Sequence, residues 1–242
     1  MRFNGVDPCM LHPSISIREE IPPGSARRRI DTIAGTAGEI VTGVAIEAGE
    51  YIVRVNIAGR TKAEGWATRE KIAAWAGSSG EQTGILIPTH RPERCYDAIL
   101  SEIGDPQFFN GFATVDVKFF LPKSTSRSVS ASIAQGSGEL RARIGGSIAC
   151  APVIRQKLAA AASSVTWSMD GKTILKINGS YEAGQTIEMD TLRESLTIDE
   201  ENAMTQIDPQ HTKWRPGFMP GLHLLASSDA GAFEMRWSDE WQ

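Results

Sequence analysis

Short segments in which apolar and polar side chains alternate recur along this sequence, and they constrain the fold more than any other feature. A period of two is the pattern of a strand with one buried face. In the first half, the segments are residues 15–21, 41–49, 50–59, 84–88, 94–100 and 112–122. The last of these, FATVDVKFFLP, is the most strongly strand-like segment of the chain. The pattern predicts a mainly β protein.

One helix interrupts the strands of the first half. In residues 61–77, a single helical stripe contains the apolar side chains Ile72, Trp75 and Ala76. The helix can begin at Thr61, which has a glutamate three residues later, or at Thr68. The first half is therefore predicted to be a β-rich domain with one α-helix.

The composition changes in residues 123–138, KSTSRSVSASIAQGSG, which contain hardly any bulky side chain. This composition is typical of a linker or an exposed crossover. We therefore predict two domains, 1–133 and 134–242.

The second domain is predicted to be a β-sandwich. Strands at 165–169 and 173–177 flank Asp170-Gly171, a pair suited to a tight hairpin turn, and a second such pair, Asn178-Gly179, follows. Further strands are predicted at 185–190, 195–199, 222–226 and 232–237, and a helical pattern is weak except at 154–162.

The arginines and glycines of RRRIDTIAGTAGEI raise the question of an anion site. Gly35 and Gly38 are not followed by the lysine of a P-loop or by a helix, so a structured surface turn is favoured over a phosphate site. The net charge of −4 argues against a protein that coats nucleic acid. The arginines at positions 27–29 are therefore expected to act locally, as a solvated or interface-facing charge run.

Motifs for chemistry are absent from the sequence. The histidines and the three cysteines are scattered without metal-binding spacing, and neither GxSxG nor SxxK occurs. We predict no metal, no cofactor and no catalytic residue, and reduced cysteines in packed positions. No stretch resembles a signal peptide, which favours synthesis and folding in the cytoplasm. Among the tryptophans, Trp66 and Trp75 are attributed to helix packing, and Trp214 is the freest candidate for a sugar contact.

The order of features resembles one family, the distal tail proteins of long-tailed bacteriophages (siphoviruses). The resemblance covers nearly the whole chain and rests on collinear motifs rather than on any single one: MRFNGVD, TIAGTAGE, REKIAAWAG, PERCYDAIL, FATVDVKFFLP, IGGSIACAPVI, MDGKTILKING, GQTIEMD, FMPGLHLLASS and FEMRWSDEW. One departure concerns the hydrogen bonding of a turn. Where the family commonly has an asparagine soon after the PG turn, this chain has Leu222 and His223.

The resemblance implies a hexameric ring at the tail tip, with a galectin-like C-terminal domain pointing outward. The ring would link the tail tube to the tail-associated lysin, fibre or receptor-binding proteins, and DNA would pass through its channel without specific binding. It would be assembled in the cytoplasm of the host bacterium, without membrane insertion, and would become part of the virion. In such a ring, Arg28, Arg29, Gly35 and Gly38 are predicted to lie at subunit contacts or along the channel wall.

Two other functions remain open from the sequence. The first is a carbohydrate-binding module that recognises host cell-surface glycans, with Trp214 in the site. Some relatives carry an inserted carbohydrate-binding domain, whereas the second domain here has room only for the basic sandwich, which favours the scaffold role. The second is a hydrolase that acts on the cell envelope, which no motif supports.

Overall fold

The structure is a computed structural model of the chain. It describes residues 1–23, 27–31, 40–45, 48–58, 61–80, 82–214 and 216–242, and at 27–31 and 40–45 it describes the backbone only. The chain divides into two compact units, Met1–Val129 with Gln242, and Ser130–Trp241. No helix in the described ranges is long and apolar enough to cross a membrane.

The first unit is a β-sheet covered by one helix. The elements are β1 Arg2–Phe3, a 3₁₀ helix Pro8–Met10, β2 Ile15–Ile21, β3 Arg27–Asp31, β4 Ile40–Ala45, β5 Gly49–Ala58, α1 Lys62–Ala76, β6 Gly84–Ile87, β7 Arg94–Ile103, β8 Gln107–Phe109, β9 Phe112–Leu121 and β10 Ser126–Ser128. The sheet has the strand order β1-β6-β7-β9-β5-β2, with β8 paired to β9 and β10 paired to β7, while β3 and β4 form a separate antiparallel pair.

The core of the first unit lies between the sheet and α1. Alternate side chains of β5 and β9 are fully or almost fully buried: Tyr51, Val53, Val55, Ile57, Val115, Val117, Phe119 and Leu121. The helix adds Ile72 and Trp75, and the Trp75 ring meets Phe119 edge-on with the centroids 6.1 Å apart. The helix begins at Thr61, where a capping box with Glu64 satisfies backbone groups of the first turn.

The described residues of the second unit form strands and one 3₁₀ helix, Met204–Gln206. The bounds are β11 Ser132–Ser137, β12 Glu139–Ile144, β13 Val153–Lys157, β14 Ala162–Met169, β15 Lys172–Tyr181, β16 Thr186–Asp190, β17 Ser195–Ile198, β18 Glu201–Asn202, β19 Gly221–Ser227, β20 Ala232–Trp237 and β21 Glu240–Trp241. The strands β11 to β20 follow the order β15-β14-β19-β12-β11-β20-β13-β16-β17-β18.

This strand order folds into two layers around one core. Neighbours β11 and β12 pair at a single position, Ser137 with Glu139, so the path turns a corner there. A Cβ atom on Gly136 would lie 1.8 Å from the Glu139 carbonyl oxygen, so the corner requires glycine. The sheet β15-β14-β19-β12 and the sheet from β11 to β18 both contribute side chains to one buried cluster, including Trp167 and Phe233. The mainly β fold class predicted from the sequence is confirmed.

A buried polar network connects the two layers of this sandwich. Gln156 of β13 is completely buried, and its Oε1 accepts hydrogen bonds from Trp167 Nε1 of β14 at 2.5 Å and from Ser227 Oγ of β19 at 2.7 Å. Gln156 Nε2 donates to the carbonyl oxygen of Asp229 at 2.9 Å. We call these four residues the inter-sheet network. Because its central groups are away from water, each needs its partner.

Several local predictions are confirmed and three are wrong. The Asp170-Gly171 turn joins β14 to β15 with positive φ at both residues, 51° and 78°. Asn178-Gly179, however, lies inside β15 near a register shift, so it does not form a turn.

The other two wrong predictions concern secondary structure. Residues 123–138 are not a linker, since they contain β10 and β11, and β11 pairs with β20 along its whole length. The helical pattern at 154–162 is also misleading. Ile154 and Gln156 are buried and alternate with exposed Arg155 and Lys157, which is the period of a strand.

Candidate functional site

The hairpin of β3 and β4 contains two of the four residues predicted at subunit contacts. Arg28 pairs with Val44 and Arg29 pairs with Gly43 in an antiparallel ladder, while their side chains lie outside what the structure describes. Gly35 and Gly38 lie outside the described residues. The interface role of all four residues stays a prediction.

A charged cleft of about 520 Å³ lies on the first unit, lined by residues of β2, β5, β7, β9 and the chain around β8. At its centre, Arg54 donates from Nε to Asp116 Oδ1 at 2.8 Å and from Nη1 to Glu19 at 2.9 Å. Nearby, Lys118 Nζ donates to Glu102 at 2.7 Å. The hydrogen bond to Asp116, and then its charge, raise the pKa of Arg54. Arg54 and Lys118 of the cleft are therefore both engaged in ion pairs with carboxylates of the same unit.

An aromatic cluster lies at the tip of the β8–β9 hairpin. The exposed rings of Phe109 and Phe112 stack with centroids 5.1 Å apart.

On the helix, Trp66 is 43% exposed with the Arg69 guanidinium 5.6 Å from its ring centroid. The expectation that helix packing explains Trp66 is therefore wrong, whereas Trp75 is buried and donates to the Val6 carbonyl oxygen at 3.1 Å.

Part of the outer face of the larger sheet of the second unit is polar. A cleft of about 620 Å³ there includes Arg155, Glu188 and Thr197. Arg155 forms an ion pair with Glu188, and its Nε donates at 2.8 Å. The predicted sugar contact, Trp214, does not line this cleft: it is half-buried and packs against the core of the second unit. A side chain in that position presents only part of its ring to a ligand.

Near the start of β19, His223 forms hydrogen bonds that the sequence did not reveal. His223 Nδ1 lies 2.8 Å from Asp170 Oδ2, and Nε2 lies 2.7 Å from the Met219 carbonyl oxygen. Both partners accept hydrogen bonds, so both ring nitrogens donate when the imidazole is protonated. Burial opposes the charge, but the hydrogen bonds to Asp170 and Met219 outweigh it and raise the pKa of His223. His223 thus supplies hydrogen bonds at the turn where the family commonly has asparagine.

The cysteines occupy two kinds of position. Cys95 and Cys150 are buried, and burial, with smaller effects of Glu240 and Asp239, raises the pKa of Cys150 to about 12. Cys9 is exposed, so the prediction of packed cysteines is wrong for this residue. In the described ranges, no group of three or more His, Cys, Asp or Glu side chains has an arrangement that could hold a metal ion.

Comparison with known proteins gives matches for the second domain and for the whole fold. Residues 145–241 match the family model of the siphovirus-type tail component, C-terminal domain. The chain is also similar to the crystal structure of the phage SPP1 Dit protein, described as a paradigm of the hub of the adsorption apparatus in phages that infect Gram-positive bacteria. That similarity has a TM-score of 0.79 at 16% identity and covers 99% of this chain and 98% of the other, so it concerns the fold.

Two further structural similarities have TM-scores below 0.5, so no inference about this chain is based on them. The baseplate of phage P2 in its activated conformation with Ca has a TM-score of 0.47 at 10% identity, with 93% of this chain and 90% of the other covered. The corresponding form with Sr has a TM-score of 0.43 at 12% identity, with 92% and 90% covered. No curated protein matches the sequence.

Proposed function

We propose that this chain is the structural hub of a siphovirus tail tip, since its residues 145–241 match a siphovirus tail-component family and its fold is similar to that of the SPP1 Dit protein. In this proposal, six copies form a ring that links the tail tube to the tail-associated lysin, fibre or receptor-binding proteins. DNA passes through the ring without specific binding. The protein is assembled in the host cytoplasm and remains in the virion.

The observation that carries the proposal is the extent of the structural similarity. Both units of this chain are included, since 99% of it superimposes on 98% of a protein described as a hub. The family match independently supports a tail role for the second unit, because it covers residues 145–241. A similarity over both units supports a whole-protein role better than a shared sandwich would, because sandwiches serve many unrelated functions.

The surfaces of the described residues fit a scaffold. Two clefts of the described residues contain charged side chains that pair with each other, Arg54 with Asp116 and Arg155 with Glu188. Paired charges stabilise a surface without supplying a reactive group. We therefore assign the chain no catalytic role and no cofactor.

The β3–β4 hairpin is the part of the first unit that we propose for subunit contacts. The double variant Arg28→Glu, Arg29→Glu should raise the concentration needed for ring assembly by roughly tenfold or more, because like charges across an interface are costly. Native mass spectrometry of the full-length chain measures this. The matched control, Arg91→Glu with Arg236→Glu, makes the same charge change at exposed arginines outside the hairpin.

The position of the chain within the phage particle tests the proposal that it is the hub of the tail tip. Antibody labelling of tails by electron microscopy should place the chain at the tip. Label along the tube, or tails that lack the chain, would remove the proposal. Unchanged assembly of the hairpin variant would remove only the assigned interface.

A further inference from the structure

Two strands of the smaller sheet of the second unit present leucines and arginines side by side. In the antiparallel pair of β12 and β19, Leu222 is opposite Arg143, and Leu224 is opposite Arg141. Residues directly opposite each other point to the same side of a sheet. Since Leu225 and its neighbours on β12, Leu140 and Ala142, are buried, the leucine and arginine pairs lie on the outer face. We call these four residues the leucine–arginine face.

The apolar part of this face is open to solvent. Leu222 is 68% exposed and Leu224 is 38% exposed, and exposed Met219 lies in the turn just before β19. A single exposed leucine is common, whereas neighbouring exposed leucines in a regular strand pair form an apolar patch of the kind that marks interaction sites.

The charged part of the face is not neutralised within the described chain. Arg141 and Arg143 are exposed, and no ion pair to either is found among the described residues. By contrast, Arg155 and Arg193 of the same unit lie within 4.0 Å of Glu188 and Asp190. The face therefore carries two positive charges on a chain whose net charge is −4.

The acidic groups nearby do not cancel these charges. Asp170 is held by the N–H of Leu224 at 2.9 Å and by His223. Glu139 shares the outer face of β12, two residues before Arg141, but no ion pair joins them in the described structure. An occupant that removes these arginines from water would have to supply negative charge in its place.

The mixture of side chains selects the chemistry of that occupant. A polyanion such as nucleic acid or a phosphate-rich polymer would neutralise the arginines but would leave the leucines exposed to water. A glycan usually stacks on an aromatic ring, and the four residues of the face include none. A protein surface with carboxylates around apolar side chains would satisfy both parts, since charge complementarity fixes orientation and apolar burial supplies affinity.

We propose that the leucine–arginine face binds an acidic, partly apolar surface of a different tail protein. This inference rests on the proposed function, because the partner is a component of the same tail. It assigns the second unit an attachment role, separate from the subunit contacts proposed for the β3–β4 hairpin.

Site-specific photo-crosslinking in assembled tails tests this inference. The full-length chain carries p-benzoylphenylalanine in place of Leu222, and tails formed in the host are irradiated, purified and analysed by mass spectrometry. We expect a cross-link to another tail protein within a segment rich in Asp or Glu. The double variant Arg141→Glu, Arg143→Glu should lower the yield at least tenfold, and Arg236→Glu, on the other sheet, should not. Replacement of the cross-linked acids by lysine should restore the yield with the arginine variant.

Three results would overturn the inference. The first is tails that contain the chain but show no cross-link from position 222. The second is a cross-link only to another copy of this chain, to lipid or to glycan. The third is a cross-linked protein segment without acidic residues. Each differs from failure of the proposed function, in which the chain would be absent from the tails.

Discussion

Gln156→Leu should destabilise the second unit far more than a surface glutamine substitution. Leucine has a volume close to that of glutamine, so the change removes hydrogen-bonding atoms without opening a large cavity. It takes away the acceptor of the Trp167 N–H, which lies 2.5 Å from Gln156 Oε1 in a fully buried site. It also removes the acceptor of the Ser227 hydroxyl, which still accepts from the Asp229 N–H, and the donor to the Asp229 carbonyl oxygen.

The expected loss of stability depends on whether each group that loses its partner can form a hydrogen bond with water instead. The buried Trp167 N–H cannot reach water, and an unsatisfied buried donor costs about 1–3 kcal/mol. Ser227 and Asp229 are half-buried and can turn part of their polar surface to solvent, so their loss adds about 1 kcal/mol together. The free energy of unfolding should fall by about 2–4 kcal/mol. Because domains are commonly stable by roughly 5–15 kcal/mol, the variant should still fold.

Equilibrium unfolding in urea, followed by circular dichroism and tryptophan fluorescence, measures this change. The control is Gln135→Leu on β11 of the same sheet, where the glutamine is exposed and its side chain bonds the Glu234 side chain, so a change within about 0.5 kcal/mol is expected. A double-mutant cycle with Trp167→Phe should give a coupling free energy of about 0.5–3 kcal/mol between positions 156 and 167. Equal effects of the two glutamine substitutions would refute the role of the inter-sheet network.

Three further predictions concern pH and local structure. The folded-state pKa of His223 is raised, so protonated His223 should stabilise the fold fully below about pH 6.5, and this stabilisation should be lost as the pH rises through the folded-state pKa. In urea unfolding from pH 5 to 8, His223→Gln should therefore make the free energy of unfolding less dependent on pH. The pKa of Asp170 is lowered, first by the hydrogen bond from the Leu224 N–H and then by His223, so ionised Asp170 should stabilise the fold above about pH 4, and this stabilisation should be lost at lower pH. Asp170→Asn should therefore reduce the loss of the free energy of unfolding in acid. Thr61→Ala should cost about 1 kcal/mol in the first unit, whereas Thr61→Ser should cost little, and equal losses would argue against the cap.

Two strands that sequence reasoning located, residues 112–121 and 232–237, have burial close to a period of two, because most of their alternate side chains point into a core. The Asp170-Gly171 turn was also readable, since positive φ at both positions selects such residues.

Sequence reasoning failed where a distant partner decides the structure. Apart from Ile133, the strand β11 consists of small and polar residues, and it is a strand because it pairs with β20, about a hundred residues later. The pattern IRQKLAAAA has good helix formers, yet sheet pairing on both sides of β13 overrides their preference. Tertiary pairing of this kind leaves no local signal.

The candidate sites were less predictable than the fold. Nothing in the sequence placed Leu222 and Leu224 opposite Arg143 and Arg141, because the two strands are about eighty residues apart and their register depends on the sandwich. The His223 contact with Asp170 depends on the same packing. The four predicted contact residues, Arg28 among them, remain untested.

Electron microscopy of the purified full-length chain tests the central proposal most directly. Two-dimensional class averages at concentrations above and below the assembly threshold report symmetry without assuming a partner, and the purified tail proteins can then be added. The hub account predicts closed rings with six-fold symmetry and a central channel. A strict monomer at every concentration that also fails to join the tail tube and tip proteins would contradict it.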